Sequence, residues 1–175
     1  MKENGPSLDN PTPQYWWDGA QRLKHAADVA WAGYRTGGTL PATPAPGDDS
    51  GAETRERLRE AHGYLMGLAI ELAAIAVLQA HDPAFLTKPF AAHHIVELVL
   101  AAGVSLAPDE HHMLRAIESS LQWRKRADVA LASDDPEIRS ALSRVSVTGS
   151  TRNAAGKSCL DAIFQRLGEE LTAAG

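Results

Sequence analysis

Only one cysteine, Cys159, occurs among the 175 residues, so the chain can form no internal disulfide. Positive charge is also scarce. Lys and Arg number 17 against 22 Asp and Glu, a net charge of -5 with a pI near 5.8. That balance excludes a nucleic-acid binder relying on a general electrostatic footprint; any RNA contact must come from a local patch, and no DNA partner is expected. The opening residues, MKENGPSLDN, hold no apolar run that could serve as a signal peptide, and cytoplasm is the expected compartment. The longest apolar run, YLMGLAIELAAIAVL at 64–78, falls short of the roughly 20 residues that span a bilayer and carries Glu71 at its middle, so no membrane partner is expected. Alternation with a period of two is nearly absent, which removes the main signal for a half-buried sheet. A composition of 44% hydrophobic and 22% charged residues excludes collagen-like, disulfide-stapled and wholly disordered classes.

What is present is helical spacing almost throughout. Residues 1–12 read as a flexible tail and 13–175 as one helical domain, an all-α bundle of five to six helices with a Pro/Gly-rich internal loop at 36–52. Thr12-Pro13 supplies an N-cap and a proline at the first helical position. The first helix then carries a stripe of Trp16, Ala20, Leu23, Ala27, Trp31 and Tyr34, and Gly37-Gly38 ends it. Ser50 and Glu53 form a capping-box pattern ahead of a long second helix with a seam of Leu58, Ala61, Leu65, Leu68, Leu72 and Ile75. Its nearly charge-free stretch predicts a buried central helix, in which Gly67 and the alanines admit close neighbours. If Leu72 is fully buried, Leu72→Ala is expected to cost about 2–5 kcal/mol.

A third helix is expected from about Thr87 to Ala102 with Gly103 as its stop, and Pro108 opens a fourth. The fourth carries Leu114, Ile117 and Leu121 inward, with Arg124, Lys125 and Arg126 in its last turn. A short fifth helix is expected from Asp135-Pro136 through Val145. After the polar connector STRNAAGKS, a last amphipathic helix uses Leu160, Ile163, Phe164, Leu167 and Leu171.

The run Tyr64-x-x-Gly67-Leu68-Ala69-Ile70-Glu71-Leu72, with His93-x-Ile95-x-x-Leu98, Gly103-Val104-x-Leu106 and Trp123-x-x-Arg126, resembles small bacterial proteins of the HEPN superfamily over roughly residues 60–128. The resemblance implies a helical bundle that often dimerises, so a homodimer is expected. In active members it also implies a metal-independent RNase, frequent in toxin–antitoxin and related defence systems, with an arginine and a histidine four to six residues apart. Arg57-x4-His62-x-Tyr64 has that spacing.

The chemistry stands on its own terms. Five residues apart on a helix is a displacement of about 140°, so the two side chains can converge on one phosphate. A histidine can take the 2′-hydroxyl proton while a guanidinium stabilises the phosphorane charge. The plainer reading of ETRERLREAHGY is a solvated, arginine-rich helix face. In active members the motif lies late in the bundle, whereas here it begins the second long helix. The first expectation is therefore a non-catalytic module binding a partner protein, a nucleotide or RNA; the alternative is an endoribonuclease using Arg57, His62 and Tyr64.

Glu71 in an apolar run needs a partner, and a polar cluster of Glu71, His93 and Arg126 inside the bundle is expected. The pairs His93-His94 and His111-His112 invite a metal reading, but neighbours on a helix point about 100° apart and no HExxH spacing occurs, so no metal or cofactor is expected. The stretch from Gly149 to Ser158 mimics a phosphate loop in the wrong register: Thr151 stands where that loop needs glycine.

Overall fold

The computed structural model describes residues 11–37, 50–87, 94–131 and 154–175, and of 50, 87 and 122–131 the backbone alone. Within these residues it contains five α-helices and no strand: α1 Pro13–Arg35, α2 Ser50–His81, α3 Ile95–Ala101, α4 Pro108–Leu131 and α5 Ala154–Ala174. A single 3-10 turn, Phe85–Thr87, follows α2. The chain is an all-α bundle.

Local chemistry sets the ends of α1. The Thr12 hydroxyl accepts the Tyr15 N–H at 3.3 Å, Pro13 fills the first turn, and Gly37 follows the helix at φ +84. Gly103 plays the same part after α3 at φ +88. At the start of α4, Glu110 reaches back to accept the Ala107 N–H at 2.9 Å, the carboxylate half of a capping box.

α2 is the central element, and α1, α3, α4 and α5 all pack on it. By length and composition Gly51–His81 is apolar enough to cross a membrane, but 72% of its most apolar window is buried by the other helices. That is the behaviour of a core helix. Two of its faces are used. Met66, Ile70, Ala73 and Val77 are fully enclosed, whereas Leu58, Leu65, Leu68 and Leu72 of the expected seam are half-buried and Ile75 is buried. Leu58 and Leu72 meet α1 over Gly33 and Gly19, where a Cβ would sit 3.1 and 3.2 Å from their methyl groups. Because Leu72 keeps part of its surface in water, Leu72→Ala is expected to cost about 1–2 kcal/mol in urea denaturation, below the 2–5 of a fully buried site.

Three other boundaries differ from the sequence reading. α3 begins at Ile95 rather than near Thr87, and residues 88–93 lie outside the described residues. α4 runs to Leu131, so Arg124, Lys125 and Arg126 stand before its last turn; Ala127 to Leu131 contain neither Gly nor Pro to stop it. α5 begins at Ala154, so the AAGKS half of the expected connector is helical, with Gly156 buried. The expected short helix through Val145 falls outside the described residues.

Candidate functional site

His62 sits where α1, α2 and α5 meet. Its side chain is fully buried, with its ring 5.0 Å from that of Trp31, and neither ring nitrogen has a hydrogen-bond partner among the described residues. This corrects the expectation of a solvated face, and the reason is tertiary: Trp31 of α1 covers the ring. Burial, reinforced by the charge of Lys157, pushes the imidazole from its ordinary 6.5 down to about 4; Asp161 and Asp28 pull weakly the other way. The ring is therefore neutral at physiological pH.

Four charges from two helices lie beside it. Lys24 of α1 contacts Asp28 at 2.7 Å and Asp161 at 3.2 Å, and Lys157 of α5 contacts Asp28 at 3.0 Å and Asp161 at 2.5 Å. They form a closed ring of alternating sign that fastens the start of α5 to α1. Burial raises Asp28, but hydrogen bonds and charge from Lys24 and Lys157 outweigh it and hold the carboxyl below its usual range. Burial lowers Lys157, and the two aspartates more than restore it. The lysine of the phosphate-loop mimic is thus committed to structure.

Arg57 lies elsewhere. Its side chain is 75% exposed and bonded to Glu53 one turn back at 2.5 Å. Arg59 pairs with Glu56. The structure does not bring Arg57 and His62 to one accessible surface: a phosphate held at the guanidinium cannot touch an imidazole with no solvent-exposed atom. Tyr64 is half-buried against the core. Glu71 is buried in α2, whereas His93 and the side chain of Arg126 lie outside the described residues, so the expected cluster is represented by Glu71 alone.

A group that sequence spacing missed joins α3 to α4. His94, Glu97 and Glu118 bring donor atoms within 4.8 Å of one another, the kind of set a metal ion can use. Arg115 already occupies it, bonding Glu97 at 2.7 Å and Glu118 at 2.9 Å, while Glu118 also accepts the Val96 N–H at 3.3 Å. Its chemistry is that of an inter-helix clamp. Arg166 forms a second clamp, donating to the Ser105 carbonyl at 2.7 Å and to Glu110 at 2.5 Å. Burial raises Glu110, but Arg166 and the Ala107 N–H hold it below the usual carboxylate range.

No family model matches this chain, and no curated protein or solved structure matches it significantly.

Among the described residues, a groove of about 620 Å³ lies open between α1 and α5. Along one wall Trp17 of α1 stacks on the buried Phe164 of α5, with ring centroids 5.1 Å apart and planes 20° from parallel. Gly168 makes this possible: a Cβ there would lie 2.9 Å from the Trp17 indole. Gln165, Glu169 and Thr172 supply a polar rim. An elongated groove with an apolar wall and a polar rim is a surface on which an amphipathic helix can lie. Trp17 falls off the apolar stripe of α1 in sequence, and pairing it with Phe164 needs two helices far apart in the chain.

Proposed function

We propose that this chain is a non-catalytic, HEPN-like helical module that works by docking another polypeptide within a bacterial defence or toxin–antitoxin-type pair. The observation that carries this reading is the α1/α5 groove, whose part-exposed Trp17 is seated on the buried Phe164 and against the backbone notch at Gly168. Two further features support it. The residue with general-base chemistry, His62, is enclosed and neutral, so the endoribonuclease alternative lacks an accessible base beside Arg57. The charge of -5 gives no sequence-independent pull toward RNA.

The wild-type protein is expected to leave several structured and single-stranded RNAs uncut, with or without a chelator. Cleavage that yields a 2′,3′-cyclic phosphate and disappears in His62→Ala would overturn the module reading and establish the ribonuclease. The resemblance also implies a homodimer. Light scattering at high micromolar concentration is expected to report one, and a monomer throughout would remove the dimer from the proposal.

A further inference from the structure

We propose that the α1/α5 groove accepts a basic amphipathic helix from a partner protein, its apolar face on Trp17 and over Gly168 and a Lys or Arg at Glu169. This rests on the docking reading above and names the chemistry of the partner.

Shape is the first argument. Phe164, Gly168 and Thr172 stand four residues apart on α5, and Ala173 closes the far end of the lining. The trough therefore follows α5 for about 13.5 Å at 1.5 Å per residue, about two and a half helical turns. Trp17 forms one wall, while Gly168 and Thr172 leave the α5 side low enough for another helix to approach.

Charge is the second and selects the partner. α5 has only two cations, Lys157 and Arg166, and both are committed inside the bundle, one to Asp28 and Asp161 and the other to Glu110 and Ser105. Glu169 on the rim is in no ion pair among the described residues and accepts only the Gln165 amide, at 2.9 Å. The part-exposed Trp17 indole adds a ring on which a cation can pack. A partner with apolar residues at helical spacing and a flanking Lys or Arg satisfies both, whereas an acidic helix meets like charge.

The test uses the full chain and two synthetic amphipathic peptides of about 14 residues, four turns at 3.6 residues each, identical except that one carries Lys and the other Glu on the polar face. Binding is read by tryptophan fluorescence and calorimetry at low and high salt. The Leu/Lys peptide is expected to bind about tenfold tighter than the Leu/Glu peptide at low salt, a preference that Glu169→Lys erases and high salt weakens. Thr172→Arg, an exposed change that blocks the groove without touching the core, is expected to weaken binding at least about tenfold, the scale of losing a central contact. Trp17→Ala should do the same, provided its thermal unfolding matches wild type.

Leu/Lys binding indifferent to both Glu169→Lys and Thr172→Arg would place the peptide elsewhere on an acidic surface and overturn the inference. Equal binding of the two peptides, abolished by Thr172→Arg, would overturn the charge selection while leaving the docking reading intact. So would a homodimer that Thr172→Arg dissociates, with neither peptide bound. If neither peptide binds and Thr172→Arg leaves the oligomeric state unchanged, the docking reading falls as well.

Discussion

Between pH 6.5 and about 4 the folded protein is expected to lose roughly 3 kcal/mol of stability, and the His62→Leu variant is expected to lose almost none of that amount. In the unfolded chain an imidazole takes a proton near its ordinary 6.5; in the bundle it resists until about 4. Across that window the unfolded state binds more protons than the folded state, so stability falls as pH falls. Above the window the contribution is complete, and below it no more is lost.

The surroundings explain the resistance. Burial is the largest cause; Lys157 and Lys24 add to it, while Asp161 and Asp28 act in the opposite direction. The held-down carboxyls Asp28, Glu97 and Glu110 also favour folding near neutral pH, but their share is lost below the ordinary carboxylate values of 3.8 and 4.5, after most of the histidine loss. Leucine has a similar volume and no nitrogen to leave unpaired, so His62→Leu is expected to be neutral or stabilising at pH 7.5. Denaturant titrations of both proteins at steps from pH 7.5 to 4.5 make the comparison, with every other histidine common to the two. Parallel curves would show that His62 does not carry the acid sensitivity.

That histidine also marks where sequence reading stops. Its local neighbours, Arg57, Arg59 and Glu60, describe a wet helix face, and nothing within one turn announces Trp31 of α1 or the ion ring of α5. The ring itself left a faint signal. Lys24→Asp28 and Lys157→Asp161 are both spaced at i,i+4 with the cation first, the less favourable order within a single helix. Two such pairs make better sense as halves of a tertiary contact than as local support, but only the fold brings α1 and α5 together.

Elements governed by their own ends were legible: Thr12-Pro13 and Gly37 bound α1, Gly103 follows α3, and the seam of Leu160, Ile163 and Leu167 on α5 is fully buried. α2 was legible as a core helix but not in its orientation. With apolar residues on nearly every face, its periodicity cannot say which side meets α1 and which side the remaining helices. The groove was not legible, because Trp17 and its stacking partner Phe164 lie in helices far apart in the chain.

Gly67→Ala is expected to destabilise the protein, although the same change in an isolated helix stabilises by about 1 kcal/mol. The close crossing of α2 and α4 reverses the sign. A Cβ at Gly67 would lie 2.4 Å from Cγ2 of Ile117 and 3.2 Å from Cδ1 of Leu121. Ile117 is 1% exposed and Leu121 is 3% exposed, so neither has open space to move into. Forcing them apart costs about 1–3 kcal/mol, which exceeds the gain in helix propensity at the upper end and offsets it at the lower. Ile117→Ala alone is expected to cost about 2–5 kcal/mol, because it empties a fully enclosed site between two helices. Combined, the two changes should partly compensate: the methyl added on α2 enters the space vacated on α4. A double-mutant cycle by urea denaturation is therefore expected to show a favourable coupling of about 0.5–3 kcal/mol, the range for residues in direct contact. Additivity within about 0.5 kcal/mol, the behaviour of distant sites, would mean that α4 does not cross α2 at Gly67.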